Sequence, residues 1–180
     1  MNDMINKRCF FKLPSGFTLL ELMVTLAIAA ILATVAIPGF SNLITSNRIS
    51  SSVNGLLGAI HMARSEAVKL GTFVELCKKN SNSDGCTDGG NWEQGWLVRE
   101  VADLTNIMLI HNALEDNYTV SGSLEAANAI RFSPSGETNL TKTATFVFCH
   151  DGAVNDYTRV LEVNRFGMGR VREDASATSC

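Results

Sequence analysis

The sequence predicts an α+β fold, in which one long N-terminal helix, first transmembrane and then amphipathic, packs on a head of antiparallel β-strands. Three observations predict this class. Residues 17–37 are almost entirely apolar, residues 49–70 repeat apolar side chains at helical spacing, and residues 72–180 contain short apolar runs separated by turn-forming residues. A helical period followed by runs of strand length is typical of a helix laid against a sheet.

The first of these segments has the length of a membrane span. Residues 17–37 form a stretch of 21 residues with one charge, Glu21. As a helix the stretch would be roughly 31 Å long, about one hydrocarbon core, so we expect it to cross a membrane. The residues before it carry three basic side chains, Lys7, Arg8 and Lys12. The positive-inside rule then predicts export of the C-terminal side. An ordinary signal-peptide cut within AIPGFSN, after the apolar run, is the alternative.

The helical pattern continues into an amphipathic segment. Seven apolar residues separated alternately by four and three positions predict one buried helix face: Ile49, Val53, Leu56, Ile60, Ala63, Ala67 and Leu70. We therefore expect a helix over about residues 18–70, with Gly71 as its C-terminal cap and a kink or local melting at Pro38.

The rest of the chain has the pattern of a β-rich head. Seven strands are expected, at residues 72–77, 95–101, 106–111, 129–133, 144–150, 158–164 and 168–173. They predict one or two antiparallel sheets, and the polar residues 78–94 predict a surface loop. The predicted organisation is a leader (1–16), a membrane or fibre-core half of the helix (17–40), its amphipathic half (41–71) and the head (72–180).

The overall charge does not indicate a general affinity for nucleic acid. Residues 1–16 carry a net charge of +2 from Asp3, Lys7, Arg8 and Lys12. Their removal would change the formal net charge from −3 to −5. A surface of this charge does not attract DNA as a whole, so any DNA contact has to be local.

The cysteines indicate disulfides in an exported head. Cys9 lies in the N-terminal stretch, and four cysteines remain: Cys77, Cys86, Cys149 and Cys180. An oxidising compartment favours disulfides, and four cysteines allow three pairings. We favour Cys77–Cys86, which closes a short polar loop, together with Cys149–Cys180, which tethers the C-terminus.

No catalytic or metal centre is expected from the sequence. The cysteine spacings are not of the CxxC type, and the three histidines, His61, His111 and His150, are scattered. There is no Ser-His-Asp set or phosphate-binding loop. The nearest catalytic candidate, His150 with Asp151, stands in a predicted turn without a nucleophile. We therefore predict a protein that is not an enzyme and needs no cofactor.

The start of the apolar segment resembles a known processing signature. Residues 16–40, GFTLLELMVTLAIAAILATVAIPGF, resemble the N-terminus of type IV pilins and type II secretion pseudopilins. The resemblance implies that a membrane-embedded prepilin peptidase cuts between Gly16 and Phe17 and that the new amine of Phe17 is methylated. It also implies that the N-terminal helices of several subunits assemble, with Glu21 beside the Phe17 amine of a neighbouring subunit. The alternative for Glu21 is a carboxylate that reaches water at the membrane interface.

Two further segments are similar to the FimT and GspH branch of minor pilins and pseudopilins. They are IHMARSEAVKLG at residues 60–71 and NWEQGWLV at residues 91–98. We interpret Trp92 and Trp96 of the second segment as core aromatics that pack on the sheet.

A third segment resembles a DNA-binding motif. Gly169, Arg170, Val171 and Arg172 match the G-R-x-R element of FimT-type pilins that act in natural transformation. In a strand Arg170 and Arg172 project from one face about 7 Å apart, which suits adjacent phosphates of double-stranded DNA of any sequence. Gly169 is expected to let the backbone approach closely.

Other charges near this motif leave two interpretations open. Auxiliary phosphate contacts are predicted from Arg165, Lys78 and Lys79. In the alternative, the two arginines form an ordinary solvated strand face, paired with the acidic Glu173 and Asp174.

Two functions follow from the resemblance. The first is a minor type IV pilin, anchored in the inner membrane with a periplasmic head before assembly and then exposed on the fibre, which binds extracellular DNA for uptake. The second is a structural or priming minor pilin, or a secretion pseudopilin, without DNA binding.

Overall fold

The computed structural model describes residues 16–81, 85–123, 126, 129–151, 157–173 and 180, without the side chains of residues 35–39. The predicted leader except Gly16 lies outside these residues, as does Asp174. Contacts divide the chain into two compact units, Met1–Ser41 and Asn42–Cys180. The helix and strands are α1 (Leu19–Leu70), β1 (Val74–Lys78), β2 (Trp96–Glu100), β3 (Ile107–His111), β4 (Tyr118–Gly122), β5 (Ala129–Phe132), β6 (Ala144–His150), β7 (Arg159–Val163) and β8 (Gly169–Glu173).

In the first unit, Thr18 caps the start of α1. Its hydroxyl oxygen accepts a hydrogen bond from the N–H of Glu21 at 3.2 Å, and its carbonyl accepts one from Leu22 at 3.1 Å. The Thr-x-x-Glu spacing is that of a capping box. The hydroxyls of Thr25 and Thr34 donate to helix carbonyls at 2.9 and 2.7 Å, so these side chains are satisfied within the helix.

Within the described part of the chain, no helix has both the length and the apolar character needed to cross a membrane. The predicted membrane segment, residues 17–37, ends among residues 35–39, whose side chains are not described, and it stays a prediction. The helix assignment continues through Pro38, so the local melting expected there is wrong, while a kink at this residue stays a prediction.

In the second unit, the C-terminal part of α1 buries the predicted apolar face. Its residues from Ile49 to Ala67 at the predicted positions are at most 1% exposed. Leu70 was expected on this face but is 45% exposed, because it is the last residue of the helix and the buried face ends at Ala67. Gly71 caps the helix as predicted, with φ of +67° and its N–H bonded to the Ala67 carbonyl at 3.0 Å.

The strands form two four-stranded antiparallel sheets. Their orders are β3-β2-β1-β5 and β4-β6-β7-β8. The seven predicted strands are confirmed to within two residues at each end. β4 was not predicted, because its only large apolar residues are Tyr118 and Val120 and it ends in Ser121 and Gly122, which are typical of a turn.

The helix face and the inner faces of both sheets share one hydrophobic core. Trp92 and Trp96 are 2% and 0% exposed, which confirms them as core residues. The Trp92 indole N–H donates to the Ala126 carbonyl at 2.9 Å, and its ring meets Phe146 edge to face at 5.1 Å. The predicted surface loop at residues 78–94 is therefore wrong at both ends, because Lys78 and Trp92 are buried.

Two disulfides tie loops to the sheets, in the pairing favoured from the sequence. Cys77 of β1 is joined to Cys86 with Cα atoms 5.6 Å apart, and Cys149 of β6 is joined to Cys180 with Cα atoms 6.0 Å apart. The second bond closes a sequence separation of 31 residues and fixes the end of the chain to the second sheet.

Candidate functional site

The residues of the predicted processing motif lie just before α1. Gly16, Phe17 and Thr18 are not helical, and Phe17 is 81% exposed. A side chain at Gly16 would meet no atom of the described residues within 4 Å. The Gly16–Phe17 bond therefore lies in exposed, irregular backbone, the kind of segment that proteases cut. Glu21 is exposed in the first helical turn, where its negative charge is favoured by the helix dipole.

The first part of α1 exposes a long apolar surface. The following large side chains are each 50–76% exposed: Leu19, Leu20, Leu22, Met23, Val24, Leu26, Ile28, Ile31 and Leu32. Contiguous apolar surface of this extent marks an interaction with protein or lipid.

The G-R-x-R element forms β8, which hydrogen-bonds to β7 and lies at the edge of the second sheet. Arg170 stands opposite Glu162, and Arg172 stands opposite Val160. Residues two apart on a strand share a face, so both arginines project away from the face that carries Val171. The structure thus confirms that the motif lies in a strand, and the predicted spacing of its two arginines stays a prediction.

The two arginines differ in their partners. The Arg172 guanidinium donates to the Glu162 carboxylate at 2.6 Å, a diagonal contact across β7 and β8. Arg170 is exposed and has no hydrogen bond or ion pair among the described residues. Arg170 therefore offers its guanidinium to an external anion without first losing a partner.

Gly169 has a packing role that was not predicted. A Cβ atom built on it would lie 2.3 Å from Cδ1 of Leu57, on the helix side of the sheet. The absence of a side chain lets α1 approach β8 at this point. This contact explains the glycine without any ligand.

Of the two acidic neighbours named in the alternative interpretation, Glu173 is described and has a partner on β7. Glu173 binds the guanidinium of Arg159 on β7 at 3.0 Å, and these two residues are register partners. Asp174 lies outside the described residues. Arg172 pairs with Glu162 of β7, which was not among the predicted site residues.

The structure contradicts one of the predicted auxiliary phosphate contacts, that of Lys78. Lys78 is 5% exposed, and its ammonium donates to the carbonyls of Asp88 and Gly90 at 3.3 and 3.0 Å. This lysine holds a loop on the first sheet and is not available to a phosphate. Lys79 also follows β1 of the first sheet, whereas Arg165 lies exposed in the turn that precedes β8.

A buried carboxylate network lies on the first sheet. Glu75 of β1 binds Arg99 of β2 at 2.7 Å and Arg131 of β5 at 2.9 Å. Ligand atoms of Glu75, Cys77 and Cys86 come within 4.8 Å of one another, but the two sulfurs are bonded to each other and the carboxylate is held by two guanidiniums. The arrangement is therefore that of an ion-paired carboxylate beside a disulfide.

The remaining polar groups of note are local. The hydroxyl and N–H of Thr105 donate to the Asp103 carboxylate and lower its pKa, in an exposed turn between β2 and β3. His150 contacts Asp151 at 3.1 Å and lies beside the ring of Tyr118, with 5.0 Å between ring centroids.

A helix with an exposed processing motif, followed by a disulfide-bonded head of two sheets, defines a pilin-like subunit. A family model of the prokaryotic N-terminal methylation motif matches residues 12–37. The model described as type II transport protein GspH matches residues 52–167, more than half of the chain. The chain belongs to the GspH family of pilin-like proteins. This match ends before β8, so the family does not by itself assign the arginines a role.

Solved structures support the same fold. Two crystal structures of the type IV minor pilin FimU from Pseudomonas aeruginosa (strain PAO1) are similar, each at 20% identity. One superposes with a TM-score of 0.59 and covers 74% of this chain and 96% of that chain; the other has a TM-score of 0.56 and covers 73% and 98%.

Proposed function

We propose that this protein is a minor subunit of a type IV pilus and binds DNA through β8. The observation that carries the DNA part is the exposed Arg170 on an edge strand, without an ion-pair partner among the described residues. Membership of the family indicates a pilin or pseudopilin subunit. The proposed DNA binding rests on β8 alone.

Assembly is proposed to run through the N-terminal helix. Prepilin peptidase would cut between Gly16 and Phe17, and the exposed apolar surface of residues 19–32 would lie in the inner membrane and then among the helices of other subunits. In the fibre, Glu21 would pair with the Phe17 amine of a neighbour. A carboxylate in apolar surroundings needs such a partner, which supports this role.

DNA would be held through its phosphates. Arginine presents several N–H donors to phosphate oxygens, and such contacts do not depend on the base sequence. Arg170 would make the first contact, because Arg172 is engaged by Glu162 at 2.6 Å. The net charge of the rest of the chain is unfavourable to DNA, so we expect weak binding that falls as salt increases and that several subunits of one fibre reinforce.

The test is DNA binding by the full-length chain in a nonionic detergent, measured as fluorescence anisotropy of a labelled duplex at several salt concentrations. Arg170→Ala is expected to weaken binding about tenfold at low salt and to reduce the salt slope by about one. Glu162→Gln should strengthen binding, because it releases Arg172. Arg48→Ala is the charge-matched control, since Arg48 lies on α1 and is paired with Glu115. Unchanged affinity and salt slope in the Arg170→Ala, Arg172→Ala double variant would contradict the proposal.

A structural subunit without DNA binding is the second candidate. The ion pairs of Arg172 with Glu162 and of Arg159 with Glu173 favour it, because they neutralise much of the charge along β7 and β8. Deletion of the protein should then abolish the fibre or secretion, while loss of DNA uptake with intact fibres would favour the first candidate.

A further inference from the structure

The turn between β7 and β8 holds two large apolar side chains in solvent. Phe166 is 46% exposed and Met168 is 53% exposed. Arg165 precedes them, and its guanidinium lies over one face of the Phe166 ring, with the guanidinium carbon 5.2 Å from the ring centroid, so a base would stack on the other face. We call residues 164–168 the hairpin tip.

The hairpin tip is held rigid by its first residue. The Asn164 side-chain oxygen accepts hydrogen bonds from the N–H groups of Phe166 and Met168, at 2.9 and 3.0 Å. The Asn164 backbone N–H donates to the Met168 carbonyl at 3.1 Å, and its carbonyl accepts from Gly167 at 2.9 Å. Gly167 has φ of +70°, a conformation that suits glycine.

The tip is also fixed to the neighbouring loop. The Arg165 carbonyl accepts hydrogen bonds from the N–H and the hydroxyl of Thr138, at 2.9 and 2.8 Å. A Cβ atom on Gly167 would lie 2.7 Å from the ring of Phe132, so the backbone of the tip packs tightly on the core. The aromatic side chain is therefore presented from an ordered backbone, which lowers the entropic cost of binding.

The charges beside the tip indicate what it would bind. Arg165 lies within the tip, and Arg170, which has no ion-pair partner in the described part of the chain, follows it on β8. An exposed aromatic ring next to cations is the arrangement with which proteins bind single-stranded nucleic acids, because bases stack on the ring while the cations contact phosphates. In a duplex the base faces are already stacked on one another and are not available to the ring.

We propose that the hairpin tip binds single-stranded DNA, with an unpaired base stacked on Phe166 and flanked by Met168. This inference rests on the proposed DNA contact of β8 and adds its substrate class: strand ends and unpaired segments bind more tightly than duplex. Arg170 contacts phosphate in both kinds of DNA, whereas Phe166 discriminates between them.

The experiment compares one labelled single strand with a duplex of the same length, bound to the full-length chain in detergent. Phe166→Ala is expected to weaken single-strand binding about tenfold and duplex binding less than about twofold. Phe166→Trp should retain single-strand binding, because the larger ring still stacks. Phe73→Ala is the matched control, since Phe73 is also exposed, at 53%, and lies before β1. Thermal unfolding of each variant checks that the fold is retained.

The outcomes separate this inference from the proposed function. Equal effects of Phe166→Ala on both DNAs, or no effect on either, would overturn the inference even where Arg170→Ala weakens binding. If Arg170→Ala changes neither affinity, the proposed DNA-binding function fails. If Phe166→Ala leaves DNA binding intact and instead reduces incorporation into fibres, the tip is a contact between subunits and the inference is wrong.

Discussion

Gly169 and Arg170 are adjacent in the chain but face opposite sides of the second sheet. The glycine lies under Leu57 of α1, where a side chain would overlap, while the arginine points away from the helix. One residue of the motif thus positions the strand on the core, and the next is available to a ligand. The residues of one sequence motif therefore have two different roles, packing for Gly169 and proposed ligand binding for Arg170.

The packing part can be tested by adding one methyl group. Gly169→Ala places Cβ 2.3 Å from Cδ1 of Leu57, the end of a flexible side chain that has to move aside, and should lower the free energy of unfolding by about 1 kcal/mol, measured by urea denaturation. The double variant with Leu57→Ala should lose less than the sum of the two single variants. Gly58→Ala is the control, and it is expected to stabilise the fold. Gly58 lies on the exposed side of α1, and no atom of the described residues comes within 4 Å of its Cβ position, so the better helix propensity of alanine should raise the free energy of unfolding by about 0.5–1 kcal/mol. Additive losses would exclude a direct contact between Gly169 and Leu57.

At the scale of elements, the first sheet is held by more than its backbone hydrogen bonds. The Glu75 side chain is 4% exposed on β1, the inner strand between β2 and β5, and it binds Arg99 of β2 and Arg131 of β5. One carboxylate therefore links three neighbouring strands. Removal of the Glu75 charge would leave both guanidiniums without their shared partner. Because the carboxylate is buried, this loss should lower the stability of the fold strongly.

This network predicts that a conservative substitution of Glu75 lowers the stability of the fold strongly. Glu75→Gln should lower the free energy of unfolding by about 3 kcal/mol, because the substitution removes the charge and keeps the shape. Glu66→Gln is the matched control, since Glu66 is paired with Lys69 at 3.2 Å on the surface of α1 and should change stability by less than about 0.5 kcal/mol. Similar urea midpoints for the two variants would show that the network contributes little.

At the scale of the whole molecule, the buried core belongs to the second unit. Among the described residues, the first core position is Ile49, and the core continues through α1, both sheets and the turn at Trp92. The unit boundary at Ser41 and Asn42 lies before all of these residues. The cooperative stability of the head is therefore expected to depend on residues from 42 onwards.

Truncation tests this expectation. A chain that lacks residues 1–41 should unfold in urea at the same midpoint as the full-length chain, followed by circular dichroism. A chain that lacks residues 1–53 loses Ile49 and Val53 from the core and should be destabilised by about 4 kcal/mol or more. An unchanged midpoint in the longer deletion, or a large loss in the shorter one, would place the core elsewhere.

The sequence by itself determined the features that depend on local periodicity. The helix over residues 19–70, its buried face, the cap at Gly71 and seven of the strands follow from apolar spacing and turn residues, because each is set by neighbours along the chain. The alternation within a strand likewise sufficed to place Arg170 and Arg172 on one face.

Only the tertiary structure decided which of these side chains have partners. The register of β7 and β8 brings Glu162 to Arg172 and leaves Arg170 unpaired among the described residues, and the approach of α1 explains Gly169. The burial of Lys78 and the existence of β4 also depend on what packs beside them. These features arise from residues distant in sequence, and such contacts leave no periodic signal in the chain.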